Sequence, residues 1–161
     1  MHAFRRRRYH SPGELWRDLS SIVRKRRHLR RAMSSGLLSP AFRERLMMVV
    51  TTVNNCRYCS YAHTRLALRA GVSDEEMRDL LAGGIPRDAP ANELVALAYA
   101  QHWAECNASP DDQERERVRD VYGVGTADAV EAVLHMIRTA NLTGNTWDAL
   151  LHRLSFGRWG A

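Results

Sequence analysis

Helix start and stop signals divide this sequence into helix-length segments, and this division restricts its fold more than any other feature. Residues 11–14 and 73–76 are capping boxes, in which a serine and a glutamate three residues apart satisfy free N–H groups at a helix N-terminus. Gly36, Gly71 and Gly83 follow apolar periodic segments as stop signals. No segment alternates apolar and polar residues as a half-buried strand does. The sequence therefore predicts an all-α fold.

The apolar periodicity and the capping residues also predict where each helix lies. We expect the third helix to begin at Cys56, with Asn54 or Asn55 as its N-cap. The predicted helices span about residues 12–34, 40–54, 56–70, 74–82, 91–106, 110–122, 127–142 and 146–154.

Length and charge indicate one structural domain with a basic extension. A chain of 161 residues can bury one hydrophobic core and is too short for two domains of ordinary size. Residues 1–31 contain eleven Lys or Arg and two acidic residues, whereas the remaining 130 residues contain 13 basic and 16 acidic ones. We therefore divide the chain into a basic N-terminal helical extension, residues 1–34, and a helical domain, residues 35–161.

The basic extension allows two interpretations. It could contact nucleic acid, an acidic membrane surface or an acidic partner protein. It could equally be a solvated face of an arginine-rich protein, because 23 of the 24 basic residues are arginine and Lys25 is the one lysine. No uninterrupted apolar run reaches the ~20 residues of a membrane-spanning helix, so we expect no membrane span.

Cys56, Cys59 and His63 carry the chemistry of this sequence. Their spacing of i, i+3 and i+7 places them on one face of a helix, with both cysteines in its first turn. Such a pair can form a disulfide, hold a metal or act as a redox pair. A helix N-terminus favours the thiolate, and His63 lies one turn beyond Cys59, where an imidazole can exchange a proton with that thiol. The low cysteine content and the lack of an apolar stretch after the first arginines predict a reducing cytoplasmic location.

The segment around the two cysteines resembles the carboxymuconolactone decarboxylase superfamily, and within it the alkylhydroperoxidase AhpD-like branch. That branch has a glutamate, an apolar helix, a CxxC pair and then a histidine. Residues 44–63 of this chain read ERLMMVVTTVNNCRYCSYAH and reproduce this order, followed by a leucine-rich segment and Gly-Val-Ser-Asp-Glu-Glu. The strong resemblance covers residues 37–85, and residues 141–145 are a weaker echo of the family. The decarboxylases of the superfamily lack the CxxC pair, so their activity is not carried over.

The resemblance implies a fold, an activity and a role for each matching residue. It implies an AhpD-like helical bundle that forms a homo-oligomer, whether dimer, trimer or hexamer, and a thiol-dependent peroxidase that uses disulfide chemistry in antioxidant defence. Cys59 would attack the peroxide, Cys56 would form the disulfide with it, and Glu44 with His63 would relay protons. No metal or bound cofactor is expected; an external dithiol reductant, such as a lipoylated protein, would reopen the disulfide.

Some characterised members of the family carry a second histidine just before the second cysteine, and Tyr58 occupies that position here.

The alternative function is a helical oligomeric binding or redox-sensing protein, whose basic N-terminal helix contacts nucleic acid or an acidic partner. We expect the third cysteine, Cys106, to be a packing residue or an incidental free thiol.

Overall fold

The computed structural model describes residues 6–34, 36–156 and 158. These residues form helices without any strand, so the predicted all-α class is confirmed. The helices are α1 (Pro12–Ser34), α2 (Pro40–Asn54), α3 (Arg57–Arg69), α4 (Asp74–Leu81), α5 (Leu94–Glu105) and α6 (Asp112–Leu154).

α2 is the central helix of the fold. Ser39 caps its N-terminus by accepting a hydrogen bond from the Phe42 backbone N–H, and Pro40 occupies its first turn, as the sequence predicts. Most of the helix is buried, and it packs against α3, α4, α5 and α6. Its position beside all of these helices makes it the common support of the thiol segment that follows it.

The turn from α2 to α3 differs from the prediction in one detail. Asn55 ends α2 in a left-handed conformation, with a φ of 54°, which asparagine tolerates better than most residues. Cys56 is then the N-cap of α3, so the prediction of an asparagine cap was wrong. The reason is that Asn55 is used for the left-handed turn, while Asn54 still belongs to α2.

A buried arginine joins α2 to the two helices that follow α3. The side chain of Arg45 donates to Glu76 at 2.9 Å and to Glu93 at 3.0 Å, and all three residues are buried. Glu76 is also the glutamate of the predicted Ser73 capping box, which is present in full. This ion-pair cluster holds α4 and the start of α5 against α2.

α6 corrects the predicted division of the C-terminal third. The chain breaks where expected, since Gly123 has a φ of 75° and a ψ of 156° inside the segment. The second predicted break, between residues 142 and 146, was wrong because the helix runs through it without interruption. Gly144 is helical there, and a Cβ built on it would lie 3.4 Å from the sulfur of Cys56. The glycine is thus a close-packing residue and not a stop signal.

The N-terminal segment and α1 pack against α6. The Tyr9 hydroxyl donates to Asp18 at 2.7 Å, Arg138 forms an ion pair with the same carboxylate, and the Tyr9 backbone N–H donates to Thr146 at 3.0 Å. The charge of α1 lies mainly on its other side, where exposed arginines face solvent: Arg24, Arg26, Arg27 and Arg30. The basic helix is therefore attached to the body of the protein through a buried polar contact.

The core contains one continuous group of apolar side chains between α2, α5 and α6. Trp103 is fully buried, whereas Trp16 and Trp147 are 73% and 58% exposed. Trp159 lies outside the described residues. Among the described helices, none combines the length and the apolar character that crossing a bilayer requires.

Candidate redox-active site

The two cysteines of the CxxC pair meet at the N-terminus of α3. Cys56 is fully buried, whereas Cys59, in the first turn of the helix, is partly exposed. Both are free thiols, and their side chains are joined by a hydrogen bond. A reactant can therefore reach Cys59 directly, while Cys56 is placed to react with Cys59.

The thiol pair releases its first proton easily and holds its second proton firmly. The hydrogen bond from Cys59 lowers the pKa of Cys56 to about 7, against the opposing effect of burial, and backbone N–H groups of Cys59 and Tyr58 assist. The same hydrogen bond and burial raise the pKa of Cys59. One proton is thus shared between two sulfurs, with the negative charge resting on Cys56 at the helix N-terminus, where the dipole stabilises it.

Glu44 and His63 form a hydrogen-bonded pair beside the thiols. His63 Nδ1 lies 2.8 Å from Glu44 Oε2, and the side chains are 18% and 13% exposed. The pair joins α2 to α3, so the two helices bring together residues that are 19 positions apart. Among the described residues, no hydrogen bond links His63 directly to Cys59.

A buried asparagine network lies behind the thiols. Asn141 donates a hydrogen bond to Cys59, which favours the thiolate of that residue, and it also donates to Thr51 at 3.1 Å. Its carbonyl accepts from Asn54 at 3.2 Å, and Asn145 donates to the Asn54 backbone carbonyl at 2.8 Å. This network fixes the end of α2 against α6 and thereby sets the position of the α3 N-terminus.

A buried carboxylate completes the surroundings of Cys56. Asp148 is fully buried and accepts hydrogen bonds from the Tyr58 hydroxyl at 2.9 Å, from Arg57 at 3.2 Å and from Arg6 at 2.6 Å. Its negative charge acts against ionisation of Cys56, although it is the smallest of the effects on that thiol. Tyr58, which stands where some relatives have a histidine, is therefore a hydrogen-bond donor to Asp148.

The candidate site residues predicted from the sequence lie on α2 and α3 or at the N-cap of α3, and none of them lies on α6. Asn141, Asn145 and Asp148 are fully buried polar residues spaced four and three positions apart. The spacing of these three polar residues on one face of a helix was the available signal, and the prediction of a break near residue 144 concealed it.

The third cysteine lies apart from this cluster. Cys106 is an exposed free thiol at the C-terminal end of α5, which agrees with the second of its two expected roles and not with packing, and its sulfur lies 3.6 Å from His102 Nε2. In the described part of the chain, no group of three or more His, Cys, Asp or Glu side chains is arranged to hold a metal ion.

The fold and the site together define an all-helical protein with a vicinal thiol pair at a helix N-terminus. Residues 24–102 match the family model of the carboxymuconolactone decarboxylase family. The match contains Glu44 and His63 as well as both cysteines of the pair. Comparison with curated proteins and with solved structures gives no match.

Proposed function

We propose that this protein is a thiol-dependent peroxidase and disulfide oxidoreductase of the AhpD-like type. The observation that carries the proposal is the combination, at one helix N-terminus, of a proton-sharing thiol pair with a Glu44–His63 hydrogen bond of 2.8 Å. A structural cysteine pair needs neither a lowered pKa nor a proton relay beside it. The match to the carboxymuconolactone decarboxylase family supports the same function, because this family includes AhpD-like proteins.

Cys59 is the thiol that we assign to the attack on the peroxide, because it is the one that a peroxide can reach. Its sulfur attacks the distal oxygen, the O–O bond breaks, and the products are a sulfenic acid on Cys59 and an alcohol or water. The proton of Cys59 passes to the Cys56 thiolate, with which it already shares a hydrogen bond. His63, held by Glu44, supplies through water the proton that the departing oxygen takes up.

The second step is the reaction of Cys56 with the oxidised Cys59. The Cys56 sulfur attacks the sulfenic sulfur, a disulfide forms, and water leaves once the hydroxyl has received a proton. The burial of Cys56 protects its sulfur from other oxidants, and the short helical spacing brings it against Cys59. An external dithiol then reduces the disulfide by exchange through Cys59, the exposed member; a lipoylated protein is the reductant that we propose.

A homo-oligomer located in the cytoplasm is part of the proposal. Large apolar side chains are exposed on α1 and near the end of α6, including Trp16, Leu19, Trp147 and Leu150. Exposed apolar surface of this kind is typical of interfaces between subunits. Light scattering of the full chain at several concentrations tests this part, and a monomer at all concentrations would contradict it.

The direct test of the function is peroxide consumption in the presence of excess dithiothreitol. We expect Cys59→Ser to abolish turnover. When peroxide is added without dithiothreitol, Cys56→Ser should react once and then retain a sulfenic acid that a sulfenate-specific probe detects. Glu44→Gln and His63→Asn should lower turnover by about 10²- to 10⁴-fold, the range of general acid–base contributions. Cys106→Ser is the matched control and should retain the activity of the wild type. A wild-type protein no faster than both site-cysteine variants would refute the proposal.

A further inference from the structure

A cavity that does not include the thiol pair lies between the N-terminal segment, α1 and α6. Its volume is about 480 Å³, and its walls are residues 7–21 in part, residues 107–109 after α5, and three positions of α6, His135, Arg138 and Leu142. Pockets of about 300–1,000 Å³ are the size that holds small organic ligands. The cavity therefore has room for a molecule larger than a single ion.

The charges around the cavity are unbalanced in favour of arginine. Two carboxylates line it, Asp18 and Glu14, against four arginines: Arg7, Arg8, Arg17 and Arg138. Both carboxylates already have partners. Asp18 contacts Arg138 and the Tyr9 hydroxyl, and Glu14 accepts a hydrogen bond from the backbone N–H of His10. Positive charge is therefore in excess over the described walls of the cavity.

The guanidinium of Arg7 is held by hydrogen bonds, whereas that of Arg17 is exposed. The guanidinium of Arg7 donates to the backbone carbonyls of Ala104 and Glu105 at the end of α5, which fixes its orientation while leaving other N–H donors of the group available. The side chain of Arg17 is exposed and makes no hydrogen bond or ion pair with the described residues. The guanidinium of Arg7, held in one orientation, and that of Arg17, which can change its rotamer, can together bind oxygen anions such as carboxylate and phosphate.

His135 adds an uncharged imidazole ring to the wall of the cavity. Burial lowers the pKa of His135 to about 4, so the imidazole is uncharged at neutral pH. Its Nδ1 is buried and has no hydrogen-bond partner among the described residues. Solvent does not reach this atom, so the ring forms part of the wall, and the arginines are the charged hydrogen-bond donors that face a ligand.

We propose that this cavity binds a small organic oxyanion, a molecule with more than one carboxylate or phosphate group, at a site distinct from the thiol pair. The arginines contact its negative oxygens, and the uncharged imidazole of His135 forms part of the wall beside them. Neither cysteine of the thiol pair lines the cavity. Binding there is consequently independent of the proposed peroxidase activity and of the redox state of those cysteines.

The test is isothermal titration calorimetry of the full chain with citrate and with pyrophosphate, at an ionic strength held constant with sodium chloride. We expect saturable binding of one molecule per chain, and the two anions distinguish a carboxylate site from a phosphate site. Arg17→Gln should weaken binding about tenfold, which corresponds to about 1.4 kcal/mol for one charge-assisted contact. Arg27→Gln is the matched control, because Arg27 is an exposed arginine of the same helix that does not line the cavity.

Three results would overturn the proposal. The first is an absence of saturable binding of both anions, and the second is an equal loss of affinity in Arg17→Gln and Arg27→Gln, which would show general attraction to a basic surface. The third is binding that disappears in Cys59→Ser, which would place the anion at the thiol pair. A double variant, Arg8→Gln with Arg17→Gln, should bind more weakly than either single variant, and thermal denaturation of each protein identifies any loss caused by unfolding.

Discussion

The effect of the hydrogen bond between the two thiols on the pKa of Cys56 can be measured separately from the other effects on that pKa. Cys59→Ala removes the donor, whereas Cys59→Ser keeps a hydroxyl donor at the same position. Because the bond from Cys59 is the largest effect on Cys56, we expect the alanine variant to raise the pKa of Cys56 from about 7 towards the ordinary value of 9.0. That difference corresponds to about 3 kcal/mol, since each tenfold change in ionisation is worth about 1.4 kcal/mol. The serine variant should keep the pKa well below the ordinary value.

The measurement is the ultraviolet absorbance of the thiolate as a function of pH. All proteins would carry Cys106→Ser, so that the exposed third cysteine does not contribute to the titration. Cys56 is then the one titrating thiol in both Cys59 variants, and its curve reports the bond directly. An alanine variant that still ionises near pH 7 would refute the reasoning, because the helix N-terminus alone would then account for the lowered pKa.

Three further predictions concern other parts of the molecule. Burial lowers the pKa of His135 from 6.5 to about 4, so the unfolded chain binds the proton first as pH falls. The free energy of unfolding of the wild type should therefore fall by up to about 3 kcal/mol between these two pH values. The free energy of unfolding of His135→Gln, measured by urea unfolding at several pH values, should fall by less. Gly144→Val should lower the free energy of unfolding by about 1–3 kcal/mol, because a Cβ alone would already lie 3.4 Å from the Cys56 sulfur. Gly144→Ala should remain within about 1 kcal/mol of wild type. Equal stability of all three proteins in urea would contradict this close packing. The exposed arginines of α1 have no part in the proposed peroxidase reaction, so replacement of all four by glutamine should leave peroxide turnover unchanged: Arg24, Arg26, Arg27 and Arg30. If the wild type binds duplex DNA, and this binding weakens with salt and is lost in the variant, the alternative function is favoured.

The variant with four substitutions is a better test of the basic helix than its deletion. Tyr9, Asp18 and Arg138 form a buried contact between the N-terminal segment, α1 and α6. Deletion of residues 1–31 would remove this contact and expose α6, so a loss of binding could follow from unfolding alone. The exposed arginines can be changed without disturbing it.

Much of the helical fold could be predicted because its signals are local. The serine caps at Ser39 and Ser73, the proline after Ser39 and the stop near Gly123 each act through contacts within a few residues. The prediction failed at Asn55 and Gly144, where the outcome depends on a neighbouring helix. Gly144 resembles a helix stop in sequence, yet its lack of a side chain lets α6 pass close to Cys56.

The sequence by itself determined which residues share the α3 face, because Cys56, Cys59 and His63 follow the period of a single helix. It also determined the class of protein, since the order of glutamate, CxxC and histidine identifies the family. Only the tertiary structure decided how the thiols behave. The burial of Cys56, the hydrogen bond of Asn141 to Cys59 and the carboxylate of Asp148 come from α6, more than 80 residues away along the chain. Ionisation depends on the distance to charges and on exclusion of water, and both are set by which helices pack together.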